Sequence, residues 1–136
     1  KKYFMHKTFL IFGAFFGLLS VILGAFGAHA LQDIVTDEKL LHGYQTGVQY
    51  QMYHALALLA VGILYERFPV KFLRWAGNLF ISGIILFSGS LYLLTAMNGK
   101  EEKLLKIIGP ITPIGGALFI LGWLFLLFAF LRNKNS

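Results

Sequence analysis

Cysteine is absent from these 136 residues, which excludes a disulfide framework, a thiolate metal site and a cysteine nucleophile. Charge is scarce as well. Asp, Glu, Lys and Arg make up 13% of the chain, against about 25% in a soluble domain. Acidic residues are the rarer sign, six against twelve Lys and Arg. In a soluble protein that excess could mean nucleic acid, but no basic stripe is long enough to track a phosphate backbone. A nucleic-acid partner is therefore not expected, and the charge reads as a membrane-orientation signal. Nothing resembles a P-loop, a nucleophile elbow, an HExxH pair or a Rossmann turn.

What is present is hydrophobic, at 57% of residues. Thr8 to Leu31 is 24 residues without a charge, Thr46 to Tyr65 is 20, and Ile107 to Leu131 is 25. Phe72 to Met97 is 26 residues interrupted only by Arg74. A helix needs about 20 apolar residues to cross the hydrocarbon, and only helices satisfy their own backbone in lipid in segments of this kind. The expected fold is all-α, an integral membrane bundle of four transmembrane helices forming one domain over residues 1–136. The expected location is the cell membrane, multi-pass.

Ala28-His29-Ala30 has the small-x-small form that signal peptidases cut, behind a basic start at Lys1, Lys2 and Lys7. The apolar run before it is too long, since a signal core spans about 7 to 15 residues. The stretch is expected to end a retained first helix. Eight of the twelve Lys and Arg fall on one side: Lys1, Lys2, Lys7, Arg67, Lys71, Arg74, Arg132 and Lys134. Lys39, Lys100, Lys103 and Lys106 fall on the other. Positive charge stays cytoplasmic, so both termini are expected inside.

Helices in lipid associate largely by close packing. Gly13, Gly17, Ser20, Gly24 and Ala28 recur along the first segment. Ala76, Gly83 and Ser90 in the third, and Gly115, Gly122 and Ala129 in the fourth, recur every seven positions, a spacing that keeps one seam against a partner. The expected contacts include Gly17 and Gly122.

The motifs are concentrated at one depth. GAFGAHAL closes the first span, TGVQYQMYH opens the second, SGSLYLLT closes the third and GPITPIGG opens the fourth. All four fall in the expected outer half. The candidate binding cluster is His29, Tyr50, Gln51, His54, Ser88, Ser90, Gly109, Pro110, Thr112, Pro113, Gly115 and Gly116. Thr112 is a good N-cap and Pro113 suits a first helical position, so the last helix is expected to start at Pro113, with 109–112 irregular. The alternatives there are a tightly packed helix start or an exposed N-terminus that attracts an anion.

His29 and His54 differ in depth by about 9 Å, too much for shared metal ligation or a bis-histidine haem, and no carboxylate completes a zinc set. Their rings are expected to bond hydroxyls or carbonyls inside the bundle. Tyr50 and His54, at i and i+4, leave a proton-relay or quinone-contact role open. No metal or cofactor is expected. Tyr44, Tyr50 and Tyr53, with Tyr3, Tyr65 and Trp75, read as interfacial belts, and Trp123 as packing or lipid-facing. Thr36-Asp37-Glu38 reads as the cap and first turn of a short surface helix leading into the second span.

GAFGAHAL, YQMYHALALL, LFSGSLYLL and GPITPIGGALFILGW together resemble the domain-of-unknown-function 423 family, which includes the small eukaryotic proteins called transmembrane protein 256. The resemblance covers almost the whole chain. It implies four membrane helices and supplies no activity, and His29, His54, Gly109, Pro110, Thr112, Pro113, Gly115 and Gly116 match its motif positions. The expected function is non-catalytic. The chain would bind a membrane lipid or a membrane-protein partner, associate as a homo-oligomer, or stabilise a membrane complex. The alternative is a transporter or redox accessory handling protons, quinone or a small solute.

Overall fold

The computed structural model describes residues 4–132. Lys1, Lys2, Tyr3 and Lys134, used above for orientation and the aromatic belt, lie outside the described residues. The elements are all helices: α1 (Lys7–Ala28), α2 (Leu31–Ile34), α3 (Glu38–Leu64), α4 (Lys71–Gly83), a π-helical turn (Ile84–Ser88), α5 (Gly89–Met97), α6 (Glu102–Ile108) and α7 (Ile111–Leu131). Four stretches are long and apolar enough to cross a membrane: α1, α3, the continuous α4–π–α5 span, and α6 with α7.

Side-chain contacts fix the arrangement. α1 runs antiparallel to α3: the His6 amide donates to the Gly62 carbonyl, Gly13 lies against Leu59, and Gly27 against Tyr44. The third span runs antiparallel to both α3 and α7. Gly47 faces Leu91 and Tyr92, Gly83 faces the Phe119 ring, and Gly115 faces the Phe87 backbone. A buried core of Phe9, Leu58, Val61, Leu73, Phe80, Leu126 and Ala129 joins the four spans at the end where α1 begins and α7 ends. This is the terminal end. At the opposite, connection end, Leu31, Val35 and Tyr44 form a smaller core beneath α2.

The period-seven seams are where the sequence puts them. Ala76, Gly83, Ser90, Gly115, Gly122 and Ala129 are all buried, and a methyl on Gly122 would stand 2.6 Å from the Phe80 ring. Gly17 is a correction. A Cβ built there meets nothing within 4 Å, because the buried face of α1 is Phe9, Gly13, Phe16, Ser20 and Gly27, to one side of Gly17. The third span holds a feature that its composition does not signal, the π turn.

Two helix starts also differ. α3 begins at Glu38 and continues unbroken to Leu64, so the helix that starts there is the second span itself rather than a separate surface helix leading into it. Its cap is Asp37, whose side chain accepts from the Lys39 amide at 2.9 Å. α7 begins at Ile111 rather than Pro113. α6 carries the chain to the Gly109–Pro110 turn, and Pro113 is tolerated because first-turn amides lack intrahelical partners anyway.

His6, which the sequence leaves without a role, caps α1. Its Nδ1 accepts from the Phe9 amide at 3.3 Å and its ring stacks on Phe9 at 3.7 Å. Burial is the main cause holding its pKa below the ordinary value, and the Arg74 charge adds to this against a backbone hydrogen bond that raises it. The unfolded chain therefore binds this proton more tightly. The contribution is complete above about pH 6.5 and is lost as pH falls, when protonation of Nδ1 also removes the cap acceptor. The detergent melting temperature is expected to drop between about pH 7 and pH 5. His6→Asn, a cap that does not titrate, should flatten that drop, and an unchanged slope would assign it to other groups.

Candidate functional site

Lipid offers no hydrogen bonds, so each polar side chain in a span must find a partner in the protein. Among the described residues every buried side-chain nitrogen and oxygen has one. Gln51 lies buried at the centre of the network. Its amide donates to the Phe16 carbonyl of α1 at 2.9 Å, and its carbonyl oxygen accepts from the Tyr92 hydroxyl of α5 at 2.7 Å. Ser88, fully buried at the end of the π turn, donates to the Gly47 carbonyl at 2.6 Å. Tyr44 donates to the Leu23 carbonyl, and the Thr95 hydroxyl is shared between the Leu91 carbonyl of its own helix at 2.8 Å and that of Leu40 at 3.3 Å. Tyr44 is therefore a buried tie between α3 and α1 rather than part of an interfacial belt.

The fourth span joins through two further bonds. Ser90 and Thr112 share a hydroxyl–hydroxyl bond of 2.5 Å. Thr112, expected as a cap, is instead the second residue of α7, with its hydroxyl turned to the third span. Trp123 donates its indole N–H to Nε2 of His54 at 2.9 Å. The other ring nitrogen of His54 lies 2.7 Å from the Tyr50 carbonyl. A carbonyl only accepts, so Nδ1 carries the proton and Nε2 offers its lone pair to the indole. One neutral tautomer satisfies both bonds. The ring lies flat on Phe119, with centroids 3.7 Å apart and planes within 8°.

Above this ring runs an open groove of about 460 Å³ between α3 and α7, with Tyr50 and Pro113 near one end and Trp123 at the other. Gly116, Ala117, Phe119 and Ile120 line it between them, and His54 forms part of its floor. Tyr50 is 39% exposed and stacks on Phe87 with centroids 5.0 Å apart. Phe87 in turn lies against Gly115. Tyr50, His54, Pro113 and Gly116 thus share the groove, with Gly115, Ser90 and Thr112 behind it. Gln51 and Ser88 occupy the neighbouring seam among α1, α3 and the third span. Gly109 and Pro110 form the turn before α7.

His29 stands apart and corrects the expectation that its ring turns inward. It is the exposed C-cap of α1, its amide bonded to the Phe26 carbonyl. Gly27 is the last buried residue of that helix, and two residues further at 100° each lies on the far side.

Sequence reasoning missed Ala117, Phe119, Ile120 and Trp123 of the groove, and of these only Trp123 carried a signal that could have found it. An indole N–H midway along a span needs an acceptor, and a histidine on a neighbouring span is the strongest neutral one available. That reasoning would have paired it with His54.

The family described as "Protein of unknown function (DUF423)" matches residues 23–116, which include every candidate residue but not Trp123. The UPF0382 membrane protein YwdK of Bacillus subtilis is 45% identical over 124 residues, 90% of this chain and 95% of its own length. A UPF0382 membrane protein of Staphylococcus aureus strain bovine RF122 / ET3-1 is 45% identical over 123 residues, covering 90% and 94%. One from Schizosaccharomyces pombe is 45% identical over 109 residues, covering 79% and 87%. No solved structure matches. With four helices long and apolar enough to span a membrane and relatives that share the chain almost end to end, this is a multi-pass membrane protein that belongs to the DUF423 family.

Proposed function

We propose that this chain is a non-catalytic membrane protein that holds a membrane lipid in the groove between α3 and α7. The observation that carries this reading is the groove itself. It is open, bounded by the aromatic rings of Tyr50 and Trp123, and lined between them by Gly116, Ala117, Phe119 and Ile120. The small residues Gly116 and Ala117 leave room between flat rings from both helices, which suits an acyl chain laid along them. The hydrogen bonds around it favour binding over chemistry. Both ring nitrogens of His54, both ends of Gln51 and the Ser90–Thr112 pair already serve as ties between or within helices. A transport or redox role draws less support, because the same polar groups hold helices together rather than lining a passage.

Gly116→Leu tests it. A Cβ at Gly116 meets only the Phe87 ring, at 3.8 Å, so the added chain extends into the groove. Native mass spectrometry in mild detergent should show lipid adducts on the wild type. They should be about tenfold weaker on Gly116→Leu, as expected for overfilling a site by 1–3 kcal/mol, with an unchanged melting temperature. Equal adducts on both proteins would refute the reading. Loss of a protein partner instead of a lipid would assign the groove to a membrane partner.

A further inference from the structure

The two ends of the bundle differ in charge. Among the described residues the terminal end carries Lys7, Arg67, Lys71, Arg74 and Arg132 with Glu66 as its one acid. The connection end carries four lysines against five acids, Asp33, Asp37, Glu38, Glu101 and Glu102. At the terminal end a second cavity, of about 400 Å³, opens between α4 and α7. Val70, Lys71, Phe72, Ala129 and Arg132 line it. Its two cations come from different spans and are held over aromatic rings. The Lys71 ammonium lies 5.3 Å from the centre of Trp75, and the Arg132 guanidinium 5.7 Å from the centre of Phe72. Below them Val70, Phe72 and Ala129 supply an apolar floor continuous with the side of the bundle.

We propose that this cavity is a binding site for an anionic phospholipid, distinct from the α3–α7 groove. The phosphate sits between Lys71 and Arg132, and the first part of an acyl chain lies against Phe72 and Ala129. Three features favour a lipid over a soluble anion. The cavity is mostly apolar. It lies at the end of two spans, where head groups are. Its cations belong to a basic collar with almost no acid of its own, the pattern by which basic pockets between helices hold anionic head groups. Arg offers a planar two-pronged donor and Lys a mobile point charge, which together suit a phosphodiester approached from the side.

The test uses full-length protein in neutral detergent, titrated with phosphatidylglycerol or with phosphatidylcholine and read by native mass spectrometry. Wild type should hold one phosphatidylglycerol in preference to phosphatidylcholine. Lys71→Gln/Arg132→Gln should weaken that adduct about 30-fold, near fivefold per lost charge, and each single variant should weaken it in part. Lys39→Gln/Lys103→Gln, at the connection end, should leave it unchanged, as should Gly116→Leu, which separates this site from the groove. No preference for phosphatidylglycerol in wild type would overturn the proposal without recourse to any variant. So would full retention by the double variant, or displacement of the lipid by equimolar inorganic phosphate.

Discussion

Gly115→Ala is expected to lower the stability of the bundle by about 3 kcal/mol, the upper part of the range for forcing a methyl group into a packed contact. The added carbon would fall on the main chain of Phe87, with its Cα at 2.7 Å. Main chain cannot rotate out of the way as a side chain can. The two spans would have to separate, and the Ser90–Thr112 bond one turn further on would lengthen with them. The neighbouring residue is the control. Gly116→Ala places its methyl in ordinary contact, 3.8 Å from the Phe87 ring, and should be neutral or gain up to about 1 kcal/mol of helix propensity. Melting in detergent followed by circular dichroism compares them directly. Coincident curves for the two variants would mean that α7 does not approach the third span as closely as described.

The second large effect belongs to Gln51. Gln51→Leu fills the same space but leaves the Tyr92 hydroxyl without its acceptor and removes a donor from the Phe16 carbonyl. A buried polar group left unpaired costs about 1–3 kcal/mol, and the surrounding lipid offers the Tyr92 hydroxyl no replacement acceptor. The expected loss is about 2 kcal/mol, above the usual value for a hydrogen bond between membrane helices, because this one residue ties α1, α3 and α5. Removing both partners should cost less than the two separate losses combined. Tyr92→Phe added to Gln51→Leu is therefore expected to recover part of the stability, and strict additivity in that cycle would show the pair to be uncoupled.

The fold was legible because the bilayer imposes length and apolarity on each span, and charge and proline then mark the connections. Gly83, Gly115 and Gly122 could be placed in seams because a seven-residue period survives along a whole helix. Gly17 could not be resolved in the same way. A small residue reads alike whether it touches a neighbour or lipid, and here the bulky Phe9 and Phe16, not Gly17, define the buried face of α1. The need for partners at Gln51, His54, Ser88 and Ser90 was legible, since polar groups in a span must be paired. Their partners were less so. Phe16, Gly47, Leu23 and Leu40 contribute only carbonyls, and a carbonyl is available at every position, so no residue type announces it. His29 was misplaced because its helix ends at Ala28, and a difference of one or two residues at a helix end turns a side chain from the bundle to its outside.

The π turn at Ile84–Ser88 has a consequence for how this sequence can vary. Before it, Ala76 and Gly83 lie against α7; Ser88 at its end and Leu91, Tyr92 and Thr95 beyond it face α3, while Ser90 keeps its bond to Thr112 of α7. The wider turn absorbs one additional residue, and each residue in a helix rotates the following face by about 100°. Deleting a single residue in this turn would restore a regular ladder and improve the local backbone bonding. It would also swing Tyr92 away from Gln51 and Thr95 away from Leu40. The third span is thus expected to be intolerant of any change in length. Insertions and deletions in such a chain should be confined to its connections.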